Sequence, residues 1–211
     1  MKLTYIGHAC FVIENAAGGK LAIDPYKPGS VPGLSAPDIE ADEVICSHGH
    51  ADHSDFDAVR TPAEPWNGKF EIRTFKTFHD DKMGILRGRN NINMINIDGL
   101  KIVHMGDIGC RLQNTQIDEL RECDVLMIPV GGFFTINARQ AFEMLIDVDP
   151  RAVIPMHYRG VNFGYNEIAG REEFVEYVTN RGIRQIVTAG SEIESIPDGR
   201  SLILMEPLRK M

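Results

Sequence analysis

The sequence contains only four cysteines, Cys10, Cys46, Cys110 and Cys123, and no CxxC spacing. That sets aside disulfide frameworks and thiolate zinc cages. Three of the four lie in or beside apolar strand-like runs, so all read as reduced, mostly buried thiols of a cytoplasmic protein. There is no basic excess either: 22 Lys and Arg against 30 Asp and Glu give a net charge of −8. Broad nucleic-acid binding needs a basic face and is not expected, whereas a small anionic substrate at a locally positive site remains compatible. No apolar stretch runs beyond five or six residues (Ala9 to Ile13, Val125 to Val130), and a membrane helix needs about 20. The segment Met1 to His8 lacks the apolar core of a signal peptide. There is no low-complexity tract, charged tail or short repeat. Composition leaves self-association into a homo-oligomer open.

What remains is ordinary globular composition, 43% hydrophobic and 25% charged over 211 residues. A chain of this length buries roughly 70–75% of its unfolded surface and suits one domain, residues 1–211. Strands are expected at Lys2–Ile6, Ala9–Glu14, Lys20–Ile23 and Glu43–Cys46, with a Pro- and Gly-rich loop from Tyr26 to Asp38. Further strands are expected at Lys69–Phe78 and Ile92–Ile97, then across an Asp98-Gly99 turn at Lys101–Met105. Gln116–Arg121 reads as helical, Val125–Val130 as a buried strand, and Asn137 as the cap of a helix to Ile146. That helix buries Ala141, Phe142, Leu145 and Ile146. Ala152–Met156 reads as a strand, Arg171–Asn180 as a helix closed by Gly182, and Arg184–Val187 as a strand. Two short strands flank Asp198-Gly199. Hairpins first and β/α alternation second make an α/β layered protein.

Three of the seven histidines fall within six residues, His48-Gly49-His50-Ala51-Asp52-His53. By composition this pattern should arise about 0.0005 times per chain. It follows the apolar run Val44-Ile45-Cys46 and so sits at the carboxyl end of a strand, where α/β sheets gather their ligands. In an extended segment His48 and His50 project the same way, while Asp52 and His53 turn into a helix-like stretch and can serve a second centre. Imidazole with carboxylate suits Zn²⁺, Mn²⁺ or Fe. A turn this short cannot close a cage, so distant ligands must complete it. His79, Asp107 and His157 each lie just past a strand-like run and are the candidates.

In this order, His48-Gly49-His50-Ala51-Asp52-His53 with His79, Asp107 and His157 resembles the metallo-β-lactamase superfamily. Tyr5-Ile6-Gly7-His8, Ile23-Asp24-Pro25 and Pro129-Val130-Gly131-Gly132 are similar to its small Zn-dependent hydrolase branch, which includes the L-ascorbate-6-phosphate lactonase-like proteins. The resemblance implies a four-layer αβ/βα sandwich with two divalent metals, zinc above Mn²⁺ or Fe, at one edge between the sheets. It implies that His48, His50 and His79 bind metal 1, that Asp52, His53 and His157 bind metal 2, and that Asp107 bridges them. Catalysis would then use a hydroxide held between the metals, with Asp52 and Asp107 as the catalytic carboxylates, against a small anionic ester, lactone or phosphodiester. Gly49 stands where oxygen-reducing diiron relatives carry Glu, which disfavours redox chemistry. The alternatives are a metal-loaded binding or sensor protein without turnover, and a diiron redox protein.

Around this set, Asp24 is placed behind the ligands, accepting a ring N–H, or serves only as a turn residue before Pro25. His104 is either a partner in the site or a satisfied buried histidine. Arg87, Arg89, His8 and Tyr158 are candidates for binding substrate, with Tyr165 a further donor near His157. Gly131-Gly132 forms either a wall of the substrate site or a tight turn.

Overall fold

The structure is a computed structural model that describes residues 1–182 and 185–209. The amino-terminal strands are β1 (Lys2–Gly7), β2 (Cys10–Glu14), β3 (Lys20–Ile23), β4 (Ile39–Glu40), β5 (Glu43–Ile45) and β6 (Val59–Arg60). Then come β7 (Glu71–Phe78), β8 (Arg89–Ile97), β9 (Leu100–His104), α1 (Asn114–Leu120) and β10 (Val125–Pro129). The chain closes with α2 (Ala138–Val148), β11 (Ala152–Met156), α3 (Glu172–Asn180), β12 (Gln185–Thr188), β13 (Glu192–Ile193) and β14 (Ser201–Leu204).

Two sheets form the body. The smaller runs β13-β1-β2-β3-β5, and the larger runs β12-β14-β11-β10-β9-β8-β7. Alternation along each strand assigns its two faces. Leu3, Tyr5, Phe11, Ile13, Leu21 and Ile23 of the smaller sheet share one core with Ile95, Ile102, Val125, Met127, Ile154 and Ile203 of the larger. The intervening residues Ile6, Cys10, Ala22, Val103, Leu126, Ile128, Val153 and Leu202 join the other core. That second core takes in Phe142, Leu145, Phe174 and Val178 of the helices, and Tyr26, Val31, Leu34 and Ile39 from the segment after β3.

The three α-helices among the described residues connect strands of the larger sheet; between β1 and β7 the chain makes only a 3-10 turn, Phe56–Ala58. The helix-like stretch expected after His53 is that single turn, because Pro62, Pro65 and the acidic run Asp52, Asp55, Asp57 leave no apolar stripe to nucleate more. Other departures are local. β8 begins at Arg89, three residues before the expected start, since Asn90 finds buried partners there. Ile146 faces solvent; α2 instead buries Ala138, Ala141, Met144, Leu145 and Val148. Asn137 caps α2 as expected, with Gln140 closing the capping box. The two strands flanking Asp198-Gly199 do not pair: β13 joins β1 and β14 joins β11 and β12 in the other sheet. Of the strand expected at Arg184–Val187, Arg184 lies outside the described residues.

Strand direction positions the site. β1, β3 and β5 are parallel to one another, through the antiparallel β2 and the parallel pairing of β3 with β5. β7, β9 and β11 likewise share a direction. The residue or loop beyond each of these six carboxyl ends carries part of the histidine–aspartate cluster.

Candidate metal centre

His8 follows β1, Asp24 follows β3, and His48 to His53 follow β5. From the larger sheet, His79 follows β7, Asp107 lies just past β9, and His157 follows β11. Three of these residues, His8, Asp24 and His157, hold left-handed φ angles of 58°, 48° and 51°. For non-glycine residues such backbones persist only where the surroundings over-determine them, and they gather at functional sites. The His157 N–H donates to the His8 carbonyl at 2.9 Å, which ties the two sheets together at the cluster.

The ligand atoms converge in three overlapping groups, each with its atoms within 4.8 Å of one another. His48, His50 and His79 form one; His8, Asp52, His53 and His157 form another; His48, His53 and Asp107 form the third. Asp107 Oδ2 lies 3.2 Å from His53 Nε2, 3.2 Å from His79 Nε2 and 3.1 Å from His157 Nε2. His48 Nε2 and His50 Nδ1 are 3.0 Å apart. The seven residues carried over from the resemblance are therefore neighbours in space.

A relay of hydrogen bonds fixes which ring nitrogen faces inward. Asp24 is fully buried, and its carboxyl stays below the ordinary carboxylate range: burial works to raise it, but His104, His53 and Ser47 outweigh that. As an anion it only accepts, so His53 Nδ1 donates to Oδ2 at 2.8 Å and the His53 Nε2 is turned to the cluster. Ser47 Oγ donates its one proton to Asp24 Oδ2 at 2.6 Å and thus accepts from His48 Nδ1 at 2.9 Å. His79 Nδ1 donates to the Phe134 carbonyl at 3.1 Å. Each of these three imidazoles turns Nε2 toward the cluster, where its neutral form presents a lone pair.

Several of the inward-facing atoms lack protein partners. His53 Nε2, both ring nitrogens of His157 and Asp107 Oδ1 are buried without a geometric hydrogen bond, with Asp107 Oδ2 lying 3.2 and 3.1 Å from the two Nε2 atoms. Buried polar atoms are almost always satisfied, so a convergent unsatisfied set of nitrogens and carboxylate oxygens fits a cation of the Zn²⁺, Mn²⁺ or Fe type. Titration agrees. Burial lowers His8 to about 4 and His48 to about 3, so both imidazoles are neutral at pH 7. His53 goes the other way: burial opposes its charge, but Asp107 and Asp24 raise it well above the usual range, so without an ion it holds a proton where an ion would supply positive charge. Asp52 and Asp107 stay ionised; burial opposes this, and His8 with His53, or His157 with His53, overcome it.

The other candidates separate. His8 is fully buried with Nε2 3.2 Å from Asp52 Oδ2, so it holds a site carboxylate rather than facing a substrate. His104 has both nitrogens occupied by backbone, Ala9 O at 2.9 Å and Gly106 N at 3.2 Å, and lies behind Asp24. Tyr158 is turned away: it is 3% exposed and its hydroxyl meets Arg171 and the Met205 carbonyl. Tyr165 faces the site instead, its hydroxyl donating to Ser30 O at 2.7 Å and lying 3.3 Å from Asp52 Oδ2. Gly131-Gly132 makes a turn and a close approach: Gly131 bridges to Asn137, and a Cβ there would meet the His157 carbonyl. A cleft of about 290 Å³ opens over the cluster, walled by Phe134, Tyr165 and Arg87, with His50 and His79 on its floor. Arg89 is on β8 and lines a neighbouring cleft.

Three contributors escaped the sequence reading. Ser47 carries the relay to His48. Asn90, fully buried, accepts from Asp107 N at 2.8 Å while donating to Thr77 Oγ1 and Met105 O. Asp80 accepts four backbone N–H groups, from Lys82, Gly84, Leu86 and Arg87, at 2.8 to 3.1 Å, and so shapes the loop that carries Arg87. An aspartate opening a glycine-containing turn was the available signal for Asp80; an isolated Ser or strand Asn offers none.

A two-sheet α/β sandwich with a histidine–aspartate cluster at one sheet edge is the architecture of the metallo-β-lactamases. The family model of the Beta-lactamase superfamily domain matches residues 2–157, and the chain belongs to that superfamily. A UPF0173 metal-dependent hydrolase of Carboxydothermus hydrogenoformans is 29% identical over 192 residues, covering 75% of this chain and 84% of the relative. Another from Pyrococcus furiosus is 28% identical, covering 92% of this chain and 99% of the relative. A Thermotoga maritima crystal structure, assigned to the Zn-dependent hydrolases of the metallo-β-lactamase superfamily, superposes with a TM-score of 0.72 at 29% identity, covering 97% of each chain.

Proposed function

We propose that the protein is a metal-dependent hydrolase holding two divalent cations, zinc first among the candidates, and acting on a small anionic ester, lactone or phosphodiester. His48, His50 and His79 would hold one ion, Asp52, His53 and His157 the other, with Asp107 between them. The observation that carries this reading is the set of buried, unpartnered donor atoms on His53, His157 and Asp107. The UPF0173 and Zn-dependent hydrolase relatives support it. When bound, such ions supply Lewis acidity and bring the pKa of coordinated water from 15.7 to about 7.

The chain's own groups divide the remaining work. Asp52 and Asp107 supply two negative charges against about four positive, which leaves the centre cationic and attractive to an anion in a protein of net charge −8. Arg87 sits over the Phe134 ring, 5.8 Å from its centroid, and its guanidinium orients an anionic group entering the cleft. Burial and the Asp52 carboxylate keep the Tyr165 phenol protonated, so it is not a base, and its one O–H holds the Ser30 carbonyl at the cleft wall. His8 steadies Asp52 from behind. The helices among the described residues include none long and apolar enough to cross a membrane. With four free cysteines, the reading is completed by a cytoplasmic location and a small-molecule partner, not nucleic acid.

The test is metal analysis of the purified protein with assays on bis(p-nitrophenyl) phosphate and simple lactones. The expected result is about two divalent ions per chain and chelator-sensitive turnover. Bound metal without turnover on any ester would instead mark a binding protein, and iron with oxygen uptake a redox protein.

A further inference from the structure

Beside the metal cleft lies a second one, of about 530 Å³, that shares His50 and Arg87 with it and extends over Gly49 and Gly88 to Lys76 and Arg89. We propose that this second cleft is an anion subsite, binding a phosphate monoester carried by the substrate on a part remote from the bond that is cleaved. The proposal rests on the hydrolase reading above and deepens it: the substrate is two-headed, with its scissile group at the metal centre and a dianionic head on Lys76, Arg87 and Arg89.

The charge distribution is the first argument. Many cations elsewhere in this acidic chain pair with a carboxylate, as in Arg60 with Asp38, Arg73 with Glu119, Arg139 with Glu143 and Arg171 with Glu206. Lys76, Arg87 and Arg89 face one cleft with no carboxylate partner among the described residues. Three uncompensated cations around one cleft call for an anion of more than one charge, and a guanidinium fork suits phosphate.

The second argument is that the backbone places these groups. Antiparallel pairing sets Lys76 opposite Asn91 and Phe78 opposite Arg89, so Lys76 and Arg89 project from the same face of the β7–β8 ladder. Asp80 holds the Arg87 backbone N–H at 2.8 Å. The Asn91 N–H donates to the Ser47 carbonyl at 2.9 Å, which ties this edge to the histidine loop and fixes its spacing from the metal cluster. The third argument is room. A Cβ built at Gly49 or Gly88 would meet nothing within 4 Å, so the backbone between the two clefts lies open to a ligand.

Two measurements test the subsite. Inorganic phosphate is titrated into ¹⁵N-labelled protein stripped with chelator. Saturable amide shifts are expected at Gly49, Gly88, Arg89 and Asn91, with the dissociation constant raised about tenfold in the K76A/R89A variant, whose spectrum also reports its folding. With metal restored, thymidine 5′-(p-nitrophenyl phosphate) is compared with its 3′-phosphorylated form. Wild type should show a KM about tenfold lower for the 3′-phosphorylated diester, and in K76A/R89A the ratio of the two KM values should fall to about one. Absent shifts, an unchanged dissociation constant in K76A/R89A, or equal KM values in wild type overturn the subsite. If neither these diesters nor simple esters and lactones are turned over while phosphate binding is weakened in K76A/R89A, the hydrolase reading fails and the anion site stands.

Discussion

Replacing Asp24 with Asn changes one atom in a residue that touches no substrate, yet it should weaken metal binding. Asn tolerates left-handed backbone, so the φ of 48° is kept without added strain. An amide retains one oxygen for the Ser47 N–H now bonded at 2.6 Å, but presents N–H where Oδ2 received both Ser47 Oγ and His53 Nδ1. The serine hydroxyl can rotate to accept. His53 can adapt only by moving its proton to Nε2, the atom aimed at the cluster, and a protonated nitrogen cannot ligate. Loss of a group that orients a metal ligand typically lowers affinity about 10- to 100-fold, or about 1.4–2.7 kcal/mol. The assay is competition for Zn²⁺ against a chromophoric chelator, with imidazole ¹⁵N shifts reporting the His53 tautomer. Wild-type zinc affinity in D24N, or retention of the Nδ1–H tautomer, would refute the relay from Asp24 to the cluster.

Other outcomes follow from the same geometry. His50→Ala should lower bound metal in elemental analysis and abolish turnover; equal loading would count against His50 as a ligand. His104→Ala should keep its metal but unfold earlier, because it leaves a cavity and the Ala9 carbonyl without its donor, at a cost of about 2–4 kcal/mol in urea denaturation. Asp80→Ala removes the acceptor of four amides, so hydrogen exchange at Lys82, Gly84, Leu86 and Arg87 should accelerate while the core amides stay protected. The metal-free protein should lose stability as pH falls. His8 titrates near 6.5 when unfolded and at about 4 when folded. Between those values the unfolded chain binds the extra proton, so the urea midpoint declines through that window, by roughly 3 kcal/mol from His8 alone. The raised His53 acts in the opposite sense only above about pH 6.5, so an unchanged midpoint between pH 6.5 and pH 4.5 would show that His8 is not buried as described.

The histidine–aspartate cluster was legible in the linear order of residues, because candidate metal ligands are written in residue type and spacing. His48 to His53 directly follow a strand, and strand ends announce where His79, Asp107 and His157 stand. The β/α alternation and the Asn137 cap were readable for the same reason, being local. The opposite holds for everything that depends on which side chain meets which across the fold. Tyr158 and Tyr165 both lie within eight residues of His157, yet packing buries one against Arg171 and turns the other to Asp52. The roles of His8 and His104 were decided only by contacts, with Asp52 for the one and with the Ala9 carbonyl for the other. The cation cleft needed the β7–β8 register to bring Lys76 beside Arg89. Local periodicity and ligand chemistry act over a few residues and survive in one dimension. Burial, ring tautomer and charge compensation are properties of neighbours many tens of residues away, and they exist only once the sheets have closed.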